Sequence, residues 1–151
     1  MSYNSGAGTV TFSISWENSW RTNTAPNNWD AAWVFIKRKN CGISNWQHQD
    51  VSATAANHTA ASPLEVQTTP DGKGVFLRRS GNGTGNIAST SVTLKLATVP
   101  GAIAEWDMQV IGIEMVYVPQ GSFQVGDGAS NASLRQGGGT SPTAAYTIAS
   151  E

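Results

Sequence analysis

Apolar and polar residues alternate along this chain in short runs, and clusters of Gly, Asn, Pro, Ser and Thr separate the runs. Strands and turns write that rhythm into a sequence. In Val10-Thr-Phe-Ser-Ile-Ser-Trp16 the residues Val10, Phe12, Ile14 and Trp16 share one face and Thr11, Ser13 and Ser15 the other, which predicts a half-buried strand. Ser91 to Ala97 repeats the pattern, with Val92, Leu94 and Leu96 inward and Thr93 and Lys95 outward. Residues 32–39, Ala-Trp-Val-Phe-Ile-Lys-Arg-Lys, are apolar on both faces and then abruptly basic, as expected of a central strand emerging into solvent. Gly74-Val-Phe-Leu-Arg-Arg79 has the same design.

Between these runs the chain turns. Arg21 to Asn28, polar and carrying Pro26, predicts a loop. Pro70-Asp-Gly-Lys73 predicts a tight turn, because proline presets φ and glycine accepts a positive φ. Ser80 to Asn86 holds three glycines, a backbone-entropy cost that argues for an exposed loop. Gly42 to Pro63 reads as loop with a short strand near Trp46 to Val51. Trp106 to Val118 is a long apolar alternation broken at Gly112, one bent strand or two. Pro119-Gln-Gly-Ser122 turns the chain into Phe123-Gln-Val125, and beyond Gly126 glycine and serine dominate, with Tyr146 and Ile148 as late anchors. The sum is an all-β chain without a convincing helix. It reads as an antiparallel β-sandwich, immunoglobulin-like or jelly-roll-like, with a Gly/Ser-rich C-terminal tail, and a barrel is the competing architecture.

Composition narrows the function. A chain of 151 residues makes one domain, or one domain with an appendage, and buries about two thirds of its unfolded surface. Only 13% of residues are charged and the net charge is −1, so no field exists to hold nucleic-acid phosphates or an anionic membrane. No run approaches the roughly 18 apolar residues of a membrane-spanning helix, and the first residues carry no signal peptide. With one cysteine, Cys41, the chain forms no internal disulfide and no paired-thiol redox centre. His48 and His58 show no metal-ligand spacing with Asp50 or Glu65 and read as surface or loop residues. Glu105 and Asp107 read as a solvated strand face, and no Gly-x-Ser-x-Gly elbow occurs. The expectation is therefore a chain that is not an enzyme, with no catalytic residue, no metal and no cofactor.

Two groups of residues remain as candidates for recognition. Five of the six tryptophans fall between Trp16 and Trp46. The simplest reading packs the indoles between two sheets as an aromatic core. The alternative exposes Trp20, Trp29 and Trp46 as ligand-stacking surfaces, with Asn27, Asn28 and Asp30 as polar contacts. The second group is basic. Lys37, Arg38 and Lys39, with Arg78 and Arg79, supply five of nine positive charges and would form a docking patch if the two strand ends were adjacent.

Two stretches are more specific. Trp16-Glu-Asn-Ser-Trp-Arg21, Pro26-Asn-Asn-Trp-Asp-Ala-Ala-Trp-Val-Phe-Ile-Lys37 and Lys73-Gly-Val-Phe-Leu-Arg-Arg79 together resemble the β-sandwich module that precedes a formylglycine-generating-enzyme-like domain in bacterial secreted proteins. Ile113-Glu-Met-Val-Tyr-Val-Pro-Gln-Gly-Ser-Phe-Gln-Val-Gly126 resembles the opening β-hairpin of that sulfatase-modifying-factor-like domain itself. The resemblance implies three parts: a β-sandwich module over residues 1–111, a hairpin over 112–126, and a flexible or docking tail over 127–151. It does not extend to chemistry, since that family's oxidase activity rests on a cysteine pair that this chain lacks. The resulting expectation is a non-catalytic structural or interaction module, extracellular or on a particle surface such as a filament or virion. It would present or anchor a neighbouring domain, or self-assemble into a homo-oligomer through its sheet edges, with a protein as partner. A carbohydrate-binding module, with a glycan as partner, is the alternative.

Overall fold

The computed structural model describes residues 1–25, 27–40, 45–99, 106–118, 120–125 and 146–149, with Trp106 and Tyr146 described in their backbone alone. In chain order the strands are β1 (Ser2–Asn4), β2 (Thr9–Thr22), β3 (Asn28–Asn40), β4 (Gln47–Gln49), β5 (Thr59–Ala60), β6 (Leu64–Thr68), β7 (Val75–Arg79), β8 (Gly83–Lys95), β9 (Trp106–Tyr117), β10 (Phe123–Val125) and β11 (Tyr146–Ile148). One three-residue 3-10 turn, Ala55–Asn57, is the sole helical element among the described residues. The chain forms two compact units, Met1–Tyr117 and Val118–Glu151.

The first unit is an antiparallel sandwich built on β2 and β3. These long strands pair only at their shared end, Arg21 with Trp29 and Thr22 with Asn28, and then part into different layers. β2 carries β8 along one edge and β1 on the other, and β5 lies beyond β8. β3 carries β9 along one edge over its whole length, while β2, β7 and β4 share the opposite edge in succession and β6 flanks β7. The second unit holds β10 paired with β11, so Tyr146 and Ile148 do return to a strand. Residues 127–145 of the expected tail, and Cys41 and Glu105, lie outside the described residues.

Between the layers, Val10 and Phe12 of β2 and Val92 and Leu94 of β8 meet Val34 and Ile36 of β3 and Val75 and Leu77 of β7. Both predicted alternations are thus correct in phase. The expected aromatic core is formed only in small part: among the described residues no tryptophan is fully buried, and Trp16 packs partly buried against the aliphatic core that holds Phe12. The reason is the phase of β3, whose even residues Ala32, Val34 and Ile36 point inward and whose odd residues Trp29, Trp33 and Phe35 point outward. Residues apolar on both faces marked a strand with an apolar outer surface.

Two further expectations change. The glycines of Ser80–Asn86 do not all stand in a loop, because Gly83, Thr84 and Gly85 pair with Arg21, Trp20 and Ser19. The ladder tolerates them through paired irregularities: one extra residue in β8 between Ile87 and Thr90, and one in β2 between Trp16 and Ser19. Asn18 (φ 56) and Gly85 (φ 109) occupy the left-handed backbone there. Gly112 does not break β9, and among the described residues β9 and β10, the two arms of the hairpin expected over 112–126, pair with other strands. β9 continues to Tyr117 opposite Trp29, while β10 pairs with β11. The sandwich therefore ends at Tyr117 rather than at residue 111.

The predicted turn is present. Gly72 (φ 65) donates its N–H to the Thr69 carbonyl at 3.2 Å, and its own carbonyl accepts from Val51 N–H at 2.8 Å. The Thr69 hydroxyl and the Lys73 N–H hold the exposed Asp71 carboxyl below the usual carboxylate range. Asp71 therefore supports the turn above that range, and the support is lost as pH falls through its lowered value. A Cβ at residue 72 would lie 2.7 Å from the Val51 carbonyl oxygen, on top of the strain of its positive φ. Gly72→Ala should accordingly cost at least about 1 kcal/mol in urea denaturation. An unchanged midpoint would refute this account of the turn.

Candidate functional site

The most organised polar cluster lies where β2 and β3 diverge. Asp30 is 0% exposed. Its carboxylate accepts from the Trp16 indole Nε1 (2.5 Å), the Ser19 hydroxyl (2.9 Å) and the Trp20 backbone N–H (2.9 Å). The β2 irregularity makes this possible. An uninterrupted two-residue period would turn Asn18 and Trp20 inward after Trp16, whereas the extra residue turns Ser19 inward instead. Ser19 Oγ in turn accepts from Arg79 Nε at 3.1 Å, and Arg79 Nη2 donates to the Gly85 carbonyl at 2.7 Å. Arg21 and Arg78 share the Glu65 carboxylate, each at 2.7 Å.

This geometry reassigns several candidates. Asp30, expected to contact a ligand, has its acceptor sites filled by the protein and no exposure. Trp20 donates its indole N–H to Asn28 at 2.7 Å and is half-buried, while Asn27 is exposed beside it. Trp29 stacks on Tyr117 of β9, ring centroids 4.1 Å apart at 5°, with the Arg78 guanidinium 4.9 Å from its ring. Because β7 and β9 lie on opposite sides of β3, the indole is enclosed between them. Trp46, 42% exposed, lies at the other end of β3 with the Lys39 ammonium 5.1 Å from its ring. The three tryptophans expected to form one stacking platform are divided between two ends of a strand.

The expected basic patch is not formed either. β7 runs antiparallel to β3 with Leu77 opposite Ala32 and Val75 opposite Val34. Arg78 and Arg79 therefore lie near Ala31 and Asp30, some six residues or roughly 20 Å from Lys37, Arg38 and Lys39. Similar strands paired head to tail place their basic ends apart. Arg78 and Arg79 serve the polar cluster, and Lys39 pairs with Asp107 of β9 at 3.3 Å.

His58, expected on the surface or in a loop, lies in the loop between the 3-10 turn and β5 and is 6% exposed. Its Nδ1 accepts the Lys95 backbone N–H at 3.1 Å and its Nε2 bonds the Ser52 carbonyl at 2.8 Å, so it is a structural pin between β8 and the loop before the 3-10 turn. Among the described residues no three His, Cys, Asp or Glu side chains gather into a group that could hold a metal.

Sequence reasoning missed an apolar outer surface. The outer face of the β6-β7-β3-β9 layer carries Trp33, Phe35 and Phe76, joined to the row Ile111, Ile113, Met115 and Tyr117 of β9. Ile113, Met115 and Tyr117 are 48%, 45% and 46% exposed. The register of odd residues on β3 was the available signal, since it leaves no apolar partner layer for Trp29, Trp33 and Phe35. The far edge of β9 pairs with no described strand, and neither does the edge of β2 from Phe12 to Trp20. Between those edges runs a groove of about 550 Å³, lined by Phe12, Ile14 and Trp16 on one side and Met108, Val110 and Glu114 on the other.

No family model, no curated protein and no solved structure matches the chain.

The polar cluster can be tested directly. Asp30→Ala strands three donors, two of them on half-buried tryptophans, and each buried orphan costs about 1–3 kcal/mol. Chemical denaturation should show a loss of at least about 3 kcal/mol, or no folded protein. Near-normal stability would show that the carboxylate does not hold the two strands.

Proposed function

We propose that this chain is a non-catalytic structural and interaction module that joins an assembly through its sheet edges, β9 above all. The single observation behind this reading is the character of that edge. β9 is a 12-residue strand whose sequence holds no proline and no lysine, with Asp107 and Glu114 as its charges. Soluble β proteins ordinarily blunt such an edge with charge, proline, a bulge or a cover. An edge without proline or lysine, unpaired among the described residues and beside an exposed apolar row, offers both the backbone hydrogen bonds and the side-chain contact that strand addition uses.

The resemblance to modules preceding sulfatase-modifying-factor-like domains fits the same role, with the sandwich presenting whatever follows Tyr117. An extracellular or particle-surface location suits the low charge. The polar network around Asp30 favours a structural duty, because its donors and acceptors are matched to each other. Glycan binding is the weaker reading, since a sugar ring stacks on a free aromatic face and the Trp29 indole has neighbours on both sides.

The reading predicts that the chain, expressed in its native host, sediments with a high-mass assembly. The edge-blocked double variant Ile113→Lys/Met115→Lys should keep its thermal midpoint and leave that fraction. Sedimentation of both as free chain, or of both with the assembly, would overturn it. Tryptophan-fluorescence titration with a panel of soluble oligosaccharides should show no saturable quenching. Saturable quenching abolished by Trp46→Ala or Trp20→Ala would favour the glycan reading instead.

A further inference from the structure

Resting on that reading, we infer that the partner of β9 is a second copy of this chain, the two β9 strands pairing antiparallel about a twofold axis through Gly112. The far edge of β9, unpaired among the described residues, selects its occupant chemically: another extended backbone matches a row of N–H and C=O groups spaced at two residues. The sequence of β9 then selects a copy of itself. Across a twofold axis normal to the sheet, outward residues must meet outward residues, so the odd positions of one strand oppose the odd positions of the other.

With Gly112 opposite Gly112, residues 107–117 pair throughout. Ile111 meets Ile113, Gln109 meets Met115 and Asp107 meets Tyr117 on the outer face, while Val110 meets Glu114 on the inner face. Like charges are kept from facing each other, the condition that a ladder most needs. Shifting the axis onto Glu114 would set two carboxylates face to face and shorten the ladder. A net charge of −1 per chain adds little long-range repulsion.

The axis keeps both grooves on the same side of the extended sheet, with Met108 of each copy opposite Val116 of the other and Val110 opposite Glu114, so the two inner faces run on across the seam. The strand strip alone, roughly 40 Å long and one layer of about 10 Å deep, offers on the order of 400 Å² per copy, half of a standard interface. A strip of that size is that of a weak pair whose population depends on concentration.

Cysteine cross-linking of the full chain tests the axis. A Cβ at residue 112 would stand 3.9 Å from both Ile14 Cδ1 and Val34 Cγ2, ordinary contact, so Gly112→Cys fits the fold. Opposed residues of an antiparallel pair have the spacing of a disulfide. Under mild oxidation Gly112→Cys should form a dimer whose linkage maps by mass spectrometry to 112 with 112, while Asp107→Cys should form no 107-to-107 link. Light scattering on the unmodified chain should show the mass rise with concentration from 15.9 kDa to twice that value. Ile113→Lys, exposed and tolerable to the fold, should abolish the rise.

A mass that never rises, or a dimer without the 112-to-112 link, would overturn the inference. If the chain stays monomeric while Ile113→Lys/Met115→Lys still releases it from its native assembly, the self-pairing fails and the module reading stands. If neither effect occurs, both fail.

Discussion

Everything in the first unit follows from one buried carboxylate. β2 and β3 leave a single hairpin for two different layers, and where they separate the backbone of each loses the other as partner. Asp30 fills that opening, accepting from two side chains and a backbone amide of β2 while its own strand continues into the second layer. A buried carboxylate is tolerable only when donors surround it. The residues that surround it are positioned by a single irregularity at Asn18, so the local backbone geometry and the layer geometry depend on each other. Arg79 extends the network to β7 and β8, which brings four strands to the same corner.

Much of this architecture was legible in the chain, for a physical reason. Val10 to Trp16 and Val92 to Leu96 alternate because one face of each strand is wet, and a one-residue slip would bury the wrong set. The class, the secure strands and the Pro70–Lys73 turn were therefore readable. What stayed hidden depended on pairing between distant segments. Nothing near Asn18 announces an extra residue, since its effect exists only against β8. His58 reads as a loop residue until Lys95, 37 positions away, presents an N–H to it. The two apolar-then-basic segments invited a single basic patch, and only their antiparallel adjacency separates the charges. Trp33 and Phe35, in a run apolar on both faces, suggested a core because apolar residues usually are core. Here they face outward from the sandwich.

The low charge of the chain acquires meaning in that light. A sheet face bearing Trp33, Phe35, Phe76 and the odd residues of β9 would be a hazard on a free monomer at high concentration. On a component whose edges are occupied in its working state, the same face is an asset, and there is little reason for lysines to guard it. Two basic residues of the outer surface, Lys39 beside Trp46 and Arg78 beside Trp29, lie against indoles rather than clear of them. Their alkyl stems and cationic heads cover aromatic surface that would otherwise meet water.

The parallel stack of Trp29 on Tyr117 has an optical consequence. Two aromatic chromophores 4.1 Å apart in a fixed chiral frame couple their electronic transitions, and the coupling gives an intense near-ultraviolet circular-dichroism band. Tyr117 is the last residue of β9, so the band exists only while that strand is zipped to its end. The protein thus carries its own chromophoric gauge of fraying at this edge, readable without any label.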